Sequence, residues 1–175
     1  YAIAYVNRGN SKNKLGNYQG AIADYDKAAE INPLDALIYY NRGKAKYSLQ
    51  DYQGSIANYT KAIEINPNDA VAYYNRGWNK VKLTDYSGAI SDFTKALEIN
   101  PKYADAYYNR GWNKGNLKDY YGAISDFTKA IEINPNYADA YNNRGWNKVQ
   151  SKDYYGGISD YTKAIEINPN YPLAF

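Results

Sequence analysis

Asparagine recurs at Asn7, Asn41, Asn75, Asn109 and Asn143, each 34 residues after the last. A carboxamide carries a carbonyl acceptor and two N–H donors together, which complements the C=O and N–H of an extended peptide backbone. Asparagine is a middling helix former, and its side chain competes for backbone hydrogen bonds inside helices. Five unbroken occurrences therefore call for a reason other than propensity. Tyr40, Tyr74 and Tyr108 stand beside three of these amides, and Trp78, Trp112 and Trp146 follow in the next turn. Residues four apart share one helix face, so the rings and amides would form one surface. Its chemistry is non-covalent. The amides would hold any backbone, and the rings would select apolar, aromatic or proline-rich side chains.

Covalent chemistry is poorly provided for. The chain has no histidine and no cysteine, which removes the commonest bases, nucleophiles and transition-metal ligands and any disulfide. The carboxylates fall in repeating columns with structural explanations: Asp51, Asp85, Asp119 and Asp153 in one, Asp24, Asp92, Asp126 and Asp160 in another, and Glu30, Glu64, Glu98, Glu132 and Glu166 in a third. Neither a GxxxxGK[ST] phosphate loop nor a GxGxxG turn occurs. The expectation is a protein that is not an enzyme and uses no cofactor or metal. Formal charge is +3, from 21 basic and 18 acidic residues spread along the period. No basic block marks a nucleic-acid arm, and nucleobase stacking on the aromatics would lack a basic track beside it. No run of about 20 apolar residues is present to span a membrane. Nothing in the sequence sets the compartment, and the cytoplasm is the default.

The elements that must position these residues follow from the period. Gly9, Gly43, Gly77, Gly111 and Gly145 keep the 34-residue register, the signature of a solenoid. With each unit numbered from Ala2, Ala36, Ala70, Ala104 and Ala138, position 4 is always Tyr, position 8 Gly, position 24 Tyr or Phe, position 27 Ala and position 32 Pro. Two amphipathic helices are predicted per unit, over about positions 1–14 and 17–31. Asn17 or Asp at position 16 supplies the N-cap acceptor of the second helix. Asn-Pro ends that helix, because proline disfavours helical geometry in the residue before it. Small residues at 8, 20 and 27 allow close approach, and aromatic residues at 4, 17 and 24 fill the space between helices.

These columns resemble the tetratricopeptide repeat over Ala2–Tyr171, in units 2–35, 36–69, 70–103, 104–137 and 138–171, with 172–175 as the start of a sixth. The resemblance implies an all-α fold, a right-handed superhelical solenoid of antiparallel helix pairs. Their first helices would line a concave groove for peptides or proteins. The Asn column is similar to the asparagine ladder with which members of the family clamp peptide backbones. The family usually carries Leu at position 7 and aromatic residues at 11 and 23. Here position 7 is Arg, position 11 Lys and position 23 Asp or, once, Asn58. The charges are complementary, so an ion-pair ladder through the helix-packing layer is expected. A carboxylate clamp of the kind that docks chaperone C-termini is not expected, because Val6, Val71 and Asn75 occupy its three cationic positions.

The sequence is thus read as a single solenoid over 1–175, a piece of something longer, that binds a protein or peptide partner. Two alternatives stand beside this reading: self-assembly through uncapped solenoid ends, and a regulatory region of a larger enzyme. Lys14, Lys44 and Lys82 in the first three units, against Asp105 and Asp139 in the last two, would orient a bound peptide of opposite charge order.

Overall fold

Positions 1–13 of each unit form one helix and positions 17–30 another, each within a residue of expectation. The computed structural model describes residues 1–169; Phe175 and the expected start of a sixth unit lie outside them. Among the described residues every regular element is an α-helix: α1 (Ala2–Lys14), α2 (Tyr18–Ile31), α3 (Ala36–Ser48), α4 (Tyr52–Ile65), α5 (Ala70–Lys82), α6 (Tyr86–Ile99), α7 (Ala104–Asn116), α8 (Tyr120–Ile133), α9 (Ala138–Gln150) and α10 (Tyr154–Ile167). The chain separates into two compact units, residues 1–92 and the part from Phe93 onward, and the boundary falls within α6.

Local chemistry fixes the helix ends. The position-16 side chains of Asn17, Asp51, Asp85, Asp119 and Asp153 each accept from the backbone N–H three residues on, at 2.8–3.0 Å. Each N-cap bond of this type holds about 1 kcal/mol of helix stability. The turn before it passes through a left-handed residue at position 15: Gly16 at φ 78°, then Gln50, Thr84, Lys118 and Lys152 at 60–71°. Only glycine enters that region without steric cost, so four repeats store strain there.

In the core, Tyr25, Tyr59, Phe93 and Phe127 at position 24 are at most 2% exposed. Burial of such a ring contributes about 1.5–3 kcal/mol. The close approach they need comes from position 8: a Cβ at Gly9 would stand 2.7 Å from the Tyr25 ring, and one at Gly111 3.2 Å from the Ala123 carbonyl. Ala21, Ser55, Ala89 and Ala123 at position 20 are fully buried, and Ser55 donates to the Gly43 carbonyl at 2.8 Å. Position 17 departs from expectation. Tyr18, Tyr52, Tyr86 and Tyr120 are only half-buried and Tyr154 is exposed, because the first helical residue sits at the rim of the packing layer. Tyr52 leans on Tyr47 and Tyr120 meets Trp146 edge-on.

The expected ion-pair ladder is present and is three-way. Arg8, Arg76, Arg110 and Arg144 bind Asp24, Asp92, Asp126 and Asp160 through Nε and Nη2 at 2.6–3.0 Å. Lys12, Lys80, Lys114 and Lys148 bind the same carboxylates at 2.8 Å. Each aspartate side chain is at most 5% exposed, so two cations and a bidentate fork offset its desolvation. The remaining guanidinium nitrogen reaches back one repeat: Arg76 Nη1 donates to Thr60, Arg110 to Thr94 and Arg144 to Thr128, all at 3.1 Å. The ladder therefore ties the helices of one repeat together and links these three repeats each to the one before.

Candidate functional site

The first helix of each repeat carries position 5, 6, 9 and 10 side chains away from the ion-pair layer. In the first compact unit, α1, α3, α4 and α5 enclose a depression of about 390 Å³. Tyr40, Tyr74, Asn75 and Trp78 all line it, so four of the expected site residues are brought together. In the second unit, α7, α8, α9 and α10 enclose one of about 220 Å³ lined by Trp112, Asn143 and Trp146. Trp112 and Trp146 remain 37% and 45% exposed.

Hydrogen bonds hold these walls in place. Asn75 Nδ2 donates to the Tyr40 hydroxyl at 3.1 Å, and Asn143 Nδ2 to the Tyr108 hydroxyl at 2.9 Å. Each links position 6 of one repeat to position 5 of the repeat before. Trp78 Nε1 donates to the Tyr47 hydroxyl at 3.0 Å. Burial pushes the Tyr40 hydroxyl above its ordinary pKa and Tyr108 up to about 12, although the asparagine bonds oppose the shift. Lys44 lies over the Tyr40 ring at 5.9 Å and Lys82 over Trp78 at 5.0 Å, so the rim of the first depression is cationic.

The asparagine column is not uniform. Asn75 and Asn143 line the depressions, whereas Asn7 is exposed outside them, Asn41 is half-buried outside them, and Asn109 is 7% exposed and donates to the Asp105 carbonyl of its own helix at 2.9 Å. Burial and this intrahelical bond both engage Asn109. Tyr108 is likewise a packing residue, stacked on Tyr137 at 4.9 Å and tilted against Phe127 at 5.7 Å. Asp105, read as a pole of a charge gradient, accepts from the Tyr137 hydroxyl at 3.0 Å and stands with Asp139 in first helical turns, where a carboxylate favours the helix dipole.

Sequence reasoning missed position 10. Asn79, Asn113 and Asn147 are at most 3% exposed, and each donates Nδ2 to the carbonyl four residues before it, at 2.7–2.8 Å. The available signal was a polar residue at Asn79 in a column that holds Ala45 in the repeat before. Among the described residues no three His, Cys, Asp or Glu side chains gather as a metal site, and no helix is long and apolar enough to cross a membrane.

Comparison with known proteins agrees with this geometry. The TPR repeat profile matches residues 9–50, 43–78 and 81–115, and the tetratricopeptide repeat profiles match 104–137 and 138–171. No curated protein matches the chain by sequence. Among solved structures, MamA superposes with a TM-score of 0.91 at 25% identity, covering 99% of this chain and 97% of that one. YrrB, described as a TPR protein with an unusual peptide-binding site, superposes with a TM-score of 0.87 at 27% identity, covering 98% and 88%. MamA from Desulfovibrio magneticus RS-1 gives 0.89 at 23% identity, over 97% and 96%. The ten helices among the described residues, the 34-residue register and profile matches over most of the sequence make this chain a member of the tetratricopeptide repeat family, helical-repeat scaffolds for protein interaction.

Proposed function

We propose that the first-helix faces bind an extended peptide segment of another protein. The observation that carries this reading is the pairing, in each compact unit, of a depression with half-exposed rings and a position-6 asparagine: Asn75 with Trp78 and Tyr40 in the first, Asn143 with Trp112 and Trp146 in the second. Asn75 and Asn143 each give one N–H to a tyrosine. Each keeps a carbonyl and a second N–H to offer a backbone. The YrrB structure, similar in fold and described as having an unusual peptide-binding site, supports peptide binding by a chain of this fold. Synthetic peptides rich in aromatic residues and proline, titrated by isothermal calorimetry, test the proposal. Trp112→Ala and Trp146→Ala are expected to abolish the response of the second unit. Asn143→Ala should weaken binding by about 1 kcal/mol, the net worth of one hydrogen bond. A diverse peptide library without a single saturable binder would remove the reading.

A second reading has its own observation. Helix α10 leaves Tyr155, Ile158 and Ile165 at 90%, 61% and 51% exposure, an apolar face of the sort that marks interaction sites. A second copy of the chain could cover it. Light scattering across concentration separates the readings, since a mass that stays monomeric at high concentration excludes assembly.

A further inference from the structure

Three buried carboxamide oxygens lie at the depressions without a partner, two of them from position 10. Asn79 and Asn147 are 1% and 3% exposed. Their Nδ2 groups donate to the Asn75 and Asn143 carbonyls, and a carbonyl can only be met by the amide nitrogen, so the orientation of each amide is fixed. Oδ1 of each accepts no hydrogen bond. Both residues line the depressions described above. Asn13 Oδ1, at the first depression, is likewise buried and unpartnered. Buried polar atoms in native proteins are normally paired, and an exception needs an explanation. The fold does not supply one, because repeat 2 places Ala45, fully buried, at the same position.

We propose that each depression is a side-chain subsite whose floor is the position-10 asparagine, and that it takes an aromatic side chain carrying a hydrogen-bond donor, tyrosine or tryptophan, from the bound peptide. The inference rests on the peptide-binding reading and names what that surface selects. The floor oxygens can only accept, so the occupant must donate. The walls are rings, Tyr40, Tyr47, Tyr59 and Trp78 in one unit and Trp112, Phe127, Trp146 and Tyr161 in the other, which favour an aromatic body through edge and face contacts. A lysine or arginine donor is opposed at the first depression by Lys44 in its wall and Lys82 over Trp78, and no carboxylate lines either depression among the described residues. A carboxylate occupant would set like oxygens together. In the second unit the space beside the acceptor is kept by Gly115, where a Cβ would stand 2.9 Å from Asn147 Oδ1.

The test pairs probes of one shape with and without a donor: p-cresol against 4-methylanisole, and indole against 1-methylindole. Binding is followed by NMR at the side-chain amides of Asn79 and Asn147 and the indole N–H of Trp78 and Trp146. Each donor probe is expected to bind about fivefold more tightly than its methylated partner, the factor one neutral hydrogen bond supplies. In Asn79→Ala and Asn147→Ala, which the fold accepts at Ala45, that ratio should fall to about one. Equal affinity of the paired probes in the wild-type protein, an unchanged ratio in the alanine variants, or no shift at either amide overturns the inference. None of these outcomes touches the peptide-binding reading, which stands or falls on the peptide library. A library without binders, beside probes that still discriminate, removes that reading and leaves two small-molecule subsites.

Discussion

Arg42 reaches Asp26 of the preceding repeat, Nη1 to Oδ1 at 2.5 Å, where every later arginine of the ladder finds a threonine. The exchange compensates for Asn58, the one neutral residue in the position-23 column, which still accepts from Arg42 Nε. A carboxylate missing inside one repeat is thus replaced from the repeat before. Asp26→Thr should cost up to about 1 kcal/mol, because Asp26 is half exposed and such pairs are screened. Asp26→Thr with Asn58→Asp should recover that loss by restoring the pattern of the later repeats. Urea unfolding of both variants checks this, and a double variant weaker than the single would break the argument.

The three-way pairs order the effects of substitution. Asp126→Ala strands Arg110 and Lys114 together, whereas Arg110→Leu leaves Lys114 on Asp126 at 2.8 Å. Loss of the aspartate should cost on the order of 3 kcal/mol and loss of the arginine clearly less. Conversion of all three to leucine should regain most of the stability, as burial of charge is no longer required. Denaturant midpoints of the three variants measure the order, and an arginine variant weaker than the aspartate variant would contradict it.

Thr84 sits at φ 60° in the turn between α5 and α6, where the first repeat has Gly16. A β-branched residue is poorly suited to that region, which costs an L-residue about 1–2 kcal/mol. Thr84→Gly should therefore raise stability, by about 1 kcal/mol once the added freedom of the unfolded chain is offset. Thermal unfolding reads the sign.

Two pH limbs follow from the titrating groups. The Arg8 hydrogen bond holds the Asp24 carboxyl down at about 2, against an ordinary 3.8, and Lys12 adds to it. A depressed carboxylate contributes stability that is full above its unfolded value and is lost as pH falls toward the folded one. The acid loss should run from about pH 4 to pH 2, and Asp24→Asn should flatten that repeat's share. At the other end, burial raises Tyr25 and Tyr108 from 10.0 to about 12. Their contribution is full below the unfolded value and is lost as pH rises from 10 toward 12. Tyrosinate absorbance recorded with helical circular dichroism should show titration and unfolding together on this limb.

The fold was legible because each repeat states the same instructions. Asp at position 16 caps, Asn-Pro stops, and the glycine at position 8 packs against the aromatic ring at position 24, so the boundaries of ten helices fell within a residue. The ion-pair columns were legible as complementary changes at 7, 11 and 23, but the link from Arg76 to Thr60 was not, since threonine at position 25 carries no charge to notice. The site was only partly legible. Periodicity puts Asn109 and Asn143 in the same column but does not show that Asn109 also donates to a carbonyl of its own helix and Asn143 to the tyrosine of the preceding repeat. Which amide group faces outward depends on side-chain packing between repeats. Position 10 was hidden for a similar reason: an asparagine inside NRGWN reads as part of a motif, and its burial appears only when the neighbouring helices are in place.

Asn113 separates the structural cost of that position from its use. It is fully buried, its Nδ2 donates to the Asn109 carbonyl at 2.7 Å, and its Oδ1 has no partner. It lines neither depression. Alanine there would remove an unpaired acceptor whose burial costs about 1–3 kcal/mol, at the loss of one hydrogen bond worth about 1 kcal/mol. Alanine is also the better helix former by up to about 0.7 kcal/mol, and Ala45 shows that the packing accepts it. The small void left behind offsets part of the gain. Asn113→Ala should therefore stabilise the protein by about 1 kcal/mol while leaving the p-cresol and indole ratios as they are in the wild type. A variant destabilised by a similar amount would mean that the Asn113 amide is satisfied in solution and supports the helix, and the reading of position 10 as a retained cost would fail with it.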